Sequence, residues 1–171
     1  MSAPSEPTDD IFQADGHLRA DLFADDALAA MRESVQQTRD TGWDSVRSPH
    51  VFMGLLAVLD AGVRCWGDRL EEDLTDILGQ FQELFRQEDV DSEPVLALNR
   101  EFLSDNVIRL LRDALQRTVA NQRTRITPMD LLVCLLTTPN SIVAECFERI
   151  GITAAKLTEL AVLAEHQARP S

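Results

Sequence analysis

The side chains able to do chemistry in these 171 residues are few and scattered. There are three histidines, His17, His50 and His166, and only His50 stands away from the termini, at the start of a predicted helix. A histidine in that place reads as a local hydrogen-bond partner of the helix start. The three cysteines, Cys65, Cys134 and Cys146, form no C-x-x-C pair and read as buried free thiols. A nucleophilic site needs Ser or Cys beside a His and an orienting carboxylate, and nothing in the spacing sets Cys65 beside His50. Phosphate chemistry of the P-loop kind needs a glycine-rich turn ending in Lys-Ser/Thr, whereas the single lysine, Lys156, falls inside a predicted helix. The acidic runs Glu71-Glu72-Asp73 and Glu88-Asp89-Val90-Asp91 lack the alternating oxygen ligands and turn glycine of a calcium loop, and read as a helix start and a solvated linker. The expectation is therefore a protein without catalytic residues, metal or cofactor.

Composition narrows the partners. The formal net charge is −13, with no basic stripe, so nucleic-acid phosphates and anionic membranes are not expected partners. The chain is 44% hydrophobic, enough for a packed interior, but no apolar run reaches the ~18–20 residues of a membrane span. The first residues lack the basic-then-apolar layout of a secretory signal, and unpaired thiols suit a reducing compartment, so the expected location is cytoplasmic. What remains for such a surface is binding other proteins. Candidate residues for that are the apolar ones outside the helical core pattern: Leu22 and Phe23 before the first long helix, and Val95, Leu96, Leu98, Phe102 and Leu103 before its later counterpart. They either clamp the molecule together or line a groove for a partner helix or extended peptide.

The elements that must position these residues are helical throughout, because no stretch sustains strand alternation. Residues 1–21 are polar, acidic and proline-containing and read as a disordered tail. A first helix starts near Asp25 with Ala27, Leu28, Met31 and Val35 on one face, and Thr41-Gly42 ends it. Ser48-Pro49 is expected to cap a second helix, followed by a short one over 63–68 and an amphipathic one over 71–87. The acidic connector 88–101 leads to a second series: Ser104 capping a helix over 105–122, Thr127-Pro128 capping the next, Asn140-Ser141 opening a third, and Thr153 capping the last after Gly151.

The two series are one pattern given twice. Adding 80 to a residue number carries Asp25, Arg32, Gln36 and Thr38 onto Asp105, Arg112, Gln116 and Thr118, and Leu28, Met31, Val35 and Val46 onto Ile108, Leu111, Leu115 and Ile126. Matching polar positions in one ungapped register mark an internal duplication. His50 falls on Asp130, which fits a shared capping role better than catalysis. The expected fold is all-α: two four-helix repeats, 22–87 and 102–168, about eight helices related by a pseudo-two-fold and sharing one core.

Val46-Arg47-Ser48-Pro49-His50 and Ile126-Thr127-Pro128-Met129-Asp130 each precede an apolar Leu-Leu-rich helix, and Ile150-Gly151-Ile152-Thr153 closes the second copy. In this order and duplication the chain resembles the Clp N-terminal domain, the double repeat in front of the ATPase modules of Clp-family AAA+ unfoldases and disaggregases. The resemblance covers about residues 22–168. It implies a non-enzymatic docking module that binds an adaptor, a substrate or the unfoldase itself. The N-domain of a type VI secretion sheath-disassembly ATPase, binding a sheath helix, is one specific form. A stand-alone regulatory or structural protein, alone or as a homodimer, is the alternative, and a small helical enzyme a third. Two departures matter. Where the family often carries Glu, and some Gram-positive members receive phosphorylated arginine, this chain has Pro49 and Met129, so that ligand is not expected. Glu71-Glu72 stands where the second copy has Gly151-Ile152, so the halves have diverged and a single groove is expected to be used.

Overall fold

A computed structural model describes residues 11–87, 95 and 97–168. Eight α-helices make up the described chain: α1 Asp25–Asp40, α2 Ser48–Val58, α3 Ala61–Leu70, α4 Leu74–Leu84, α5 Asp105–Ala120, α6 Pro128–Thr137, α7 Ile142–Glu148 and α8 Ala154–Ala168. Short 3₁₀ turns at Ala20–Leu22 and Arg100–Phe102 lead into α1 and α5. Among the described residues extended pairing is limited to four isolated β-bridges. Among the described residues no single helix is long and apolar enough to cross a membrane. The apolar helices α2 and α6 are buried along nearly their whole length, as their sequences require. Around them one core draws on both repeats, with Phe52 of α2, Trp66 of α3, Phe81 of α4 and Phe147 of α7 meeting at centroid distances from 4.9 to 6.3 Å.

The duplication is written into the backbone. α1 and α5 start and end 80 residues apart, and so do the starts of α2 and α6 and of α4 and α8. Each repeat also lends its entry strap to the other. Ala24 N donates to the Ile126 carbonyl at 2.9 Å and Ile126 N to the Leu22 carbonyl at 2.7 Å. Their mates do the same, Ser104 N to the Val46 carbonyl at 3.0 Å and Val46 N to the Phe102 carbonyl at 2.7 Å. The axis relating the halves runs between Leu18 and Leu98, where a residue bonds to its own mate: Leu18 N donates to the Leu98 carbonyl at 2.9 Å.

Residues 11–19 depart from the expected tail. They form a small hairpin closed by Gln13 N to the His17 carbonyl (2.8 Å) and Arg19 N to the Ile11 carbonyl (2.8 Å), with Gly16 at φ +91° in its turn. Ile11, Phe12 and Leu18 are buried, and the Arg100 guanidinium lies 4.9 Å over the Phe12 ring. Antiparallel pairing with residues 98–100 on the axis accounts for the order, because it satisfies backbone groups while burying two isolated apolar residues. Residues 1–10, 88–94, Leu96 and 169–171 lie outside the described residues.

Four of the eight helix starts follow the expected caps. The hydroxyls of Ser104, Thr127, Ser141 and Thr153 accept from amides three residues on. Ser48 does not cap: it is the first residue of α2 and Arg47 holds the cap position. Helix α3 begins two residues earlier than expected, capped by Asp60, and α4 three residues later, capped by Asp73. Gly151 takes φ +90° after α7, and its mate Glu71 takes the same left-handed conformation at φ +59°, so the divergence at this position changed the residue and kept the turn.

Candidate functional site

His50 and Asp130, the mated residues that open α2 and α6, do the same backbone job in different electrostatic settings. His50 Nδ1 accepts from Arg47 N at 3.0 Å, and Asp130 accepts from Thr127 N at 2.9 Å. The other His50 nitrogen, Nε2, lies 3.0 Å from the Thr41 hydroxyl, which donates to the Gln37 carbonyl. This network assigns the neutral tautomer with the proton on Nε2. Burial, reinforced by the Arg47 charge, pushes its pKa down to about 4. With both nitrogens engaged and the ring inside the protein, His50 has neither lone pair nor proton to offer a substrate.

Around Asp130 the same frame is ionic. Burial alone would raise its pKa, but the Arg123 guanidinium, the Thr127 amide and Arg117 outweigh it and hold the carboxyl at about 2. Arg117 Nη1 donates to Asp130 at 2.6 Å and the Arg117 guanidinium grips both oxygens of Glu165 at 2.9 and 2.8 Å. Arg123 reaches Asp130 as well, at 2.7 Å through Nη2. Subtracting 80 turns Arg117, Arg123 and Glu165 into Gln37, Trp43 and Phe85. In the first repeat, accordingly, Trp43 stands edge-on to His50 with centroids 5.6 Å apart, and its Nε1 donates to the Phe85 carbonyl at 2.6 Å. One cage is built twice, once from charges and once from aromatics.

That exchange shapes a cleft of about 480 Å³ where the two repeats meet. One wall is Trp43, His50 and Phe85, with the Arg47 guanidinium 4.9 Å over the indole. The facing wall is Leu135 with the α6–α7 connection from Thr138 to Ile142, and Arg109 of α5 closes a side. Ile142 is 42% exposed at the cleft. The mated depression, between Asp26, Asp60, Gly62, Arg123, Met129 and Glu165, is smaller at about 280 Å³. Met129 explains the asymmetry: it lies on Gly62, where an added Cβ would stand 2.6 Å from Met129 Cγ, whereas its mate Pro49 is too short to plug the larger cleft.

The apolar belt expected from the sequence divides. Phe23, Val95 and Leu103 are buried, and Phe23 and Leu103 sit at the exchanged straps. Leu22, Leu98 and Phe102 pack on the core and remain partly exposed. Leu98 lines a shallow depression of about 360 Å³ with Leu18, Leu28 and Val35, and Leu96 lies outside the described residues. Sequence reading missed Trp43, Arg47, Phe85 and Ile142. The signal was present: the mates of Trp43 and Phe85 are Arg123 and Glu165, a paired swap of aromatic for charge inside a matching register.

No family model and no curated protein matches this sequence. Solved structures do. The N-terminal domain of the caseinolytic protease-associated chaperone ClpD from Arabidopsis thaliana is similar at TM-score 0.63 and 19% identity, over 83% of this chain and 93% of that one. The Hsp104 N-terminal domain from Candida albicans gives 0.66 and 13%, over 82% and 89%. A chain from structural work on a malarial protein secretion system gives 0.62 and 10%, over 86% and 95%. At these identities the likeness is one of fold: the chain has the architecture of Clp-type N-terminal domains.

Proposed function

We propose that this chain is a non-catalytic docking module that receives substrate or adaptor proteins for a Clp-type AAA+ unfoldase in the cytoplasm. The observation that carries the reading is the cleft at the seam of the repeats, whose lining combines Trp43, Phe85 and the partly exposed Ile142 with the guanidinium groups of Arg47 and Arg109. Aromatic and arginine side chains around a desolvated apolar pocket are the usual energetic anchors of a protein interface. The cleft has room for a few side chains of an extended or helical peptide, an apolar anchor with carbonyl or carboxylate groups facing the arginines. Likeness in fold to the N-terminal domains of a protease-associated chaperone and of Hsp104 supports an unfoldase as the motor served. The unpaired thiols of Cys65, Cys134 and Cys146 suit the reducing compartment. The accessible end of the belt around Leu98 offers a second, shallower contact area on the same reading.

The test is affinity capture by the immobilised full chain, followed by mass spectrometry. Wild-type protein is expected to recover a Clp-type ATPase or its clients. Ile142→Asp is expected to lower that recovery at least tenfold with unchanged helicity, and Leu98→Asp to lower it less. Equal recovery by wild type and Ile142→Asp overturns the cleft assignment. A stable dimer that closes the seam, with no unfoldase recovered, overturns the docking role.

A further inference from the structure

The pseudo-two-fold makes every helix-helix seam occur twice, so each seam shows what its mate lacks. Helices α3 and α8 pack along each other, and α7 and α4 are their mates. In the closed α3–α8 seam the buried indole of Trp66 fills the space and its Nε1 donates to the Leu157 carbonyl at 3.1 Å. Gln167, near the end of α8, then takes a bond from Arg69 Nε at 3.1 Å. In the mated seam Cys146 replaces Trp66, Ile77 replaces Leu157, Arg149 replaces Arg69 and Gln87 replaces Gln167. Helix α4 has 11 residues against the 15 of α8. Beyond α4 the chain turns back toward the end of α1, where the Phe85 carbonyl takes the Trp43 indole and Gln87 N donates to the Thr41 carbonyl at 2.8 Å. The seam is left open. It is a groove of about 200 Å³ floored by Phe81 and Phe147, with Leu84 and Ile150 at its rims, 55% and 56% exposed.

We propose that the groove between α4 and α7 is a second docking surface, distinct from the seam cleft, and that its occupant is an amphipathic partner helix that inserts one bulky aromatic side chain beside Cys146 and carries basic residues on its flanks. The closed seam supplies the chemistry of the inserted group: one indole in the gap between the two helices, its N–H bonded to a carbonyl of the neighbouring helix. Groove residues Ile77, Gln80, Phe81 and Leu84 recur at the i, i+3, i+4, i+7 spacing of a helix-receiving stripe. Charge completes the assignment. The two helices and their ends carry Asp73, Asp76, Glu83, Glu145 and Glu148 against Arg86 and Arg149, and both arginines are paired locally, Arg86 with Glu83 and Arg149 with Glu145. Lysine or arginine flanks on the partner complement that border and the −13 of the whole chain.

The probe is a synthetic lysine-rich amphipathic helical peptide bearing one Trp on its apolar face, titrated into the full chain while methyl NMR signals are followed. Saturable shifts are expected at Ile77, Leu84 and Ile150, with Cys146 protected from alkylation. Affinity is expected to fall at least tenfold in Ile150→Asp, in Cys146→Trp, which fills the groove as Trp66 fills its mate, and when the peptide Trp is replaced by Ala. The exposed Ile150 variant covers the chance that the tryptophan variant misfolds. Shifts confined to Leu135 and Ile142 place the peptide in the seam cleft and overturn the groove while leaving the proposed function intact. Unchanged affinity in Ile150→Asp overturns it too, as does concentration-dependent self-association through Leu84 and Ile150, which would make a second copy the occupant.

Discussion

At the scale of single residues, His50 and Asp130 show how one cap position tolerates opposite electrostatics. Each satisfies the backbone amide three residues earlier, so the duplication preserved the bond and let the charge vary. That difference has a pH signature. His50 has its pKa depressed from 6.5 to about 4, so the unfolded chain takes up a proton between those values while the folded one stays neutral. Its contribution is complete above pH 6.5 and is lost as pH falls toward 4, on the order of 3 kcal/mol in all. Asp130, held at about 2 against an ordinary 3.8, loses its contribution only below that ordinary value, so the two losses are separable. Thermal melts between pH 7.5 and 4.5 are expected to fall more steeply for wild type than for His50→Asn, whose amide oxygen can keep the bond from Arg47. Parallel slopes would show that His50 is protonated in the fold. The capping role of these mates was legible from their alignment. The cage around them was not, because Arg117, Arg123 and Glu165 come together only through tertiary packing.

At the scale of elements, the helices were legible wherever a cap and an apolar stripe agreed, as at Ser104 and Thr127. Arg47 at the cap of α2 was not, because Ser48 is the better cap by type and tertiary contacts to His50 override it. The burial of Ile11 and Phe12 was also hidden, since two apolar residues without a period carry no helix or strand signal, and only the pairing with residues 98–100 places them. Close helix approach is equally silent in sequence. Helices α1 and α2 touch at Gly54, where an added Cβ would lie 2.2 Å from the Ala30 carbonyl oxygen. The mate of Gly54 is Cys134, and α5 and α6 are accordingly less closely packed. Gly54→Ala is therefore expected to destabilise by ~1–3 kcal/mol through overpacking, against the ~1 kcal/mol that alanine ordinarily adds to a helix. Urea denaturation followed by circular dichroism measures it, and a stabilised variant would show that the two helices can spread without loss.

At the scale of the whole molecule, the 80-residue register was the most informative feature of the sequence, and the paired starts of helices and the exchanged straps follow it. The candidate site was less legible: three of the six described belt residues turned inward, Phe23 and Leu103 because their straps serve the junction itself. Each repeat leaves backbone groups for the other to satisfy, so neither half is expected to stand alone. Residues 95–171 expressed separately are expected to lack a cooperative thermal transition, and a sharp one would show that the exchange is dispensable. The same exchange sets a birth order on the ribosome. The strap at Leu22–Ala24 is made early but meets its partner only when Ile126 emerges, some hundred residues later. Translation speed over that interval, rather than the intrinsic rate of helix formation, governs how long the nascent first half waits with its clasp unfastened.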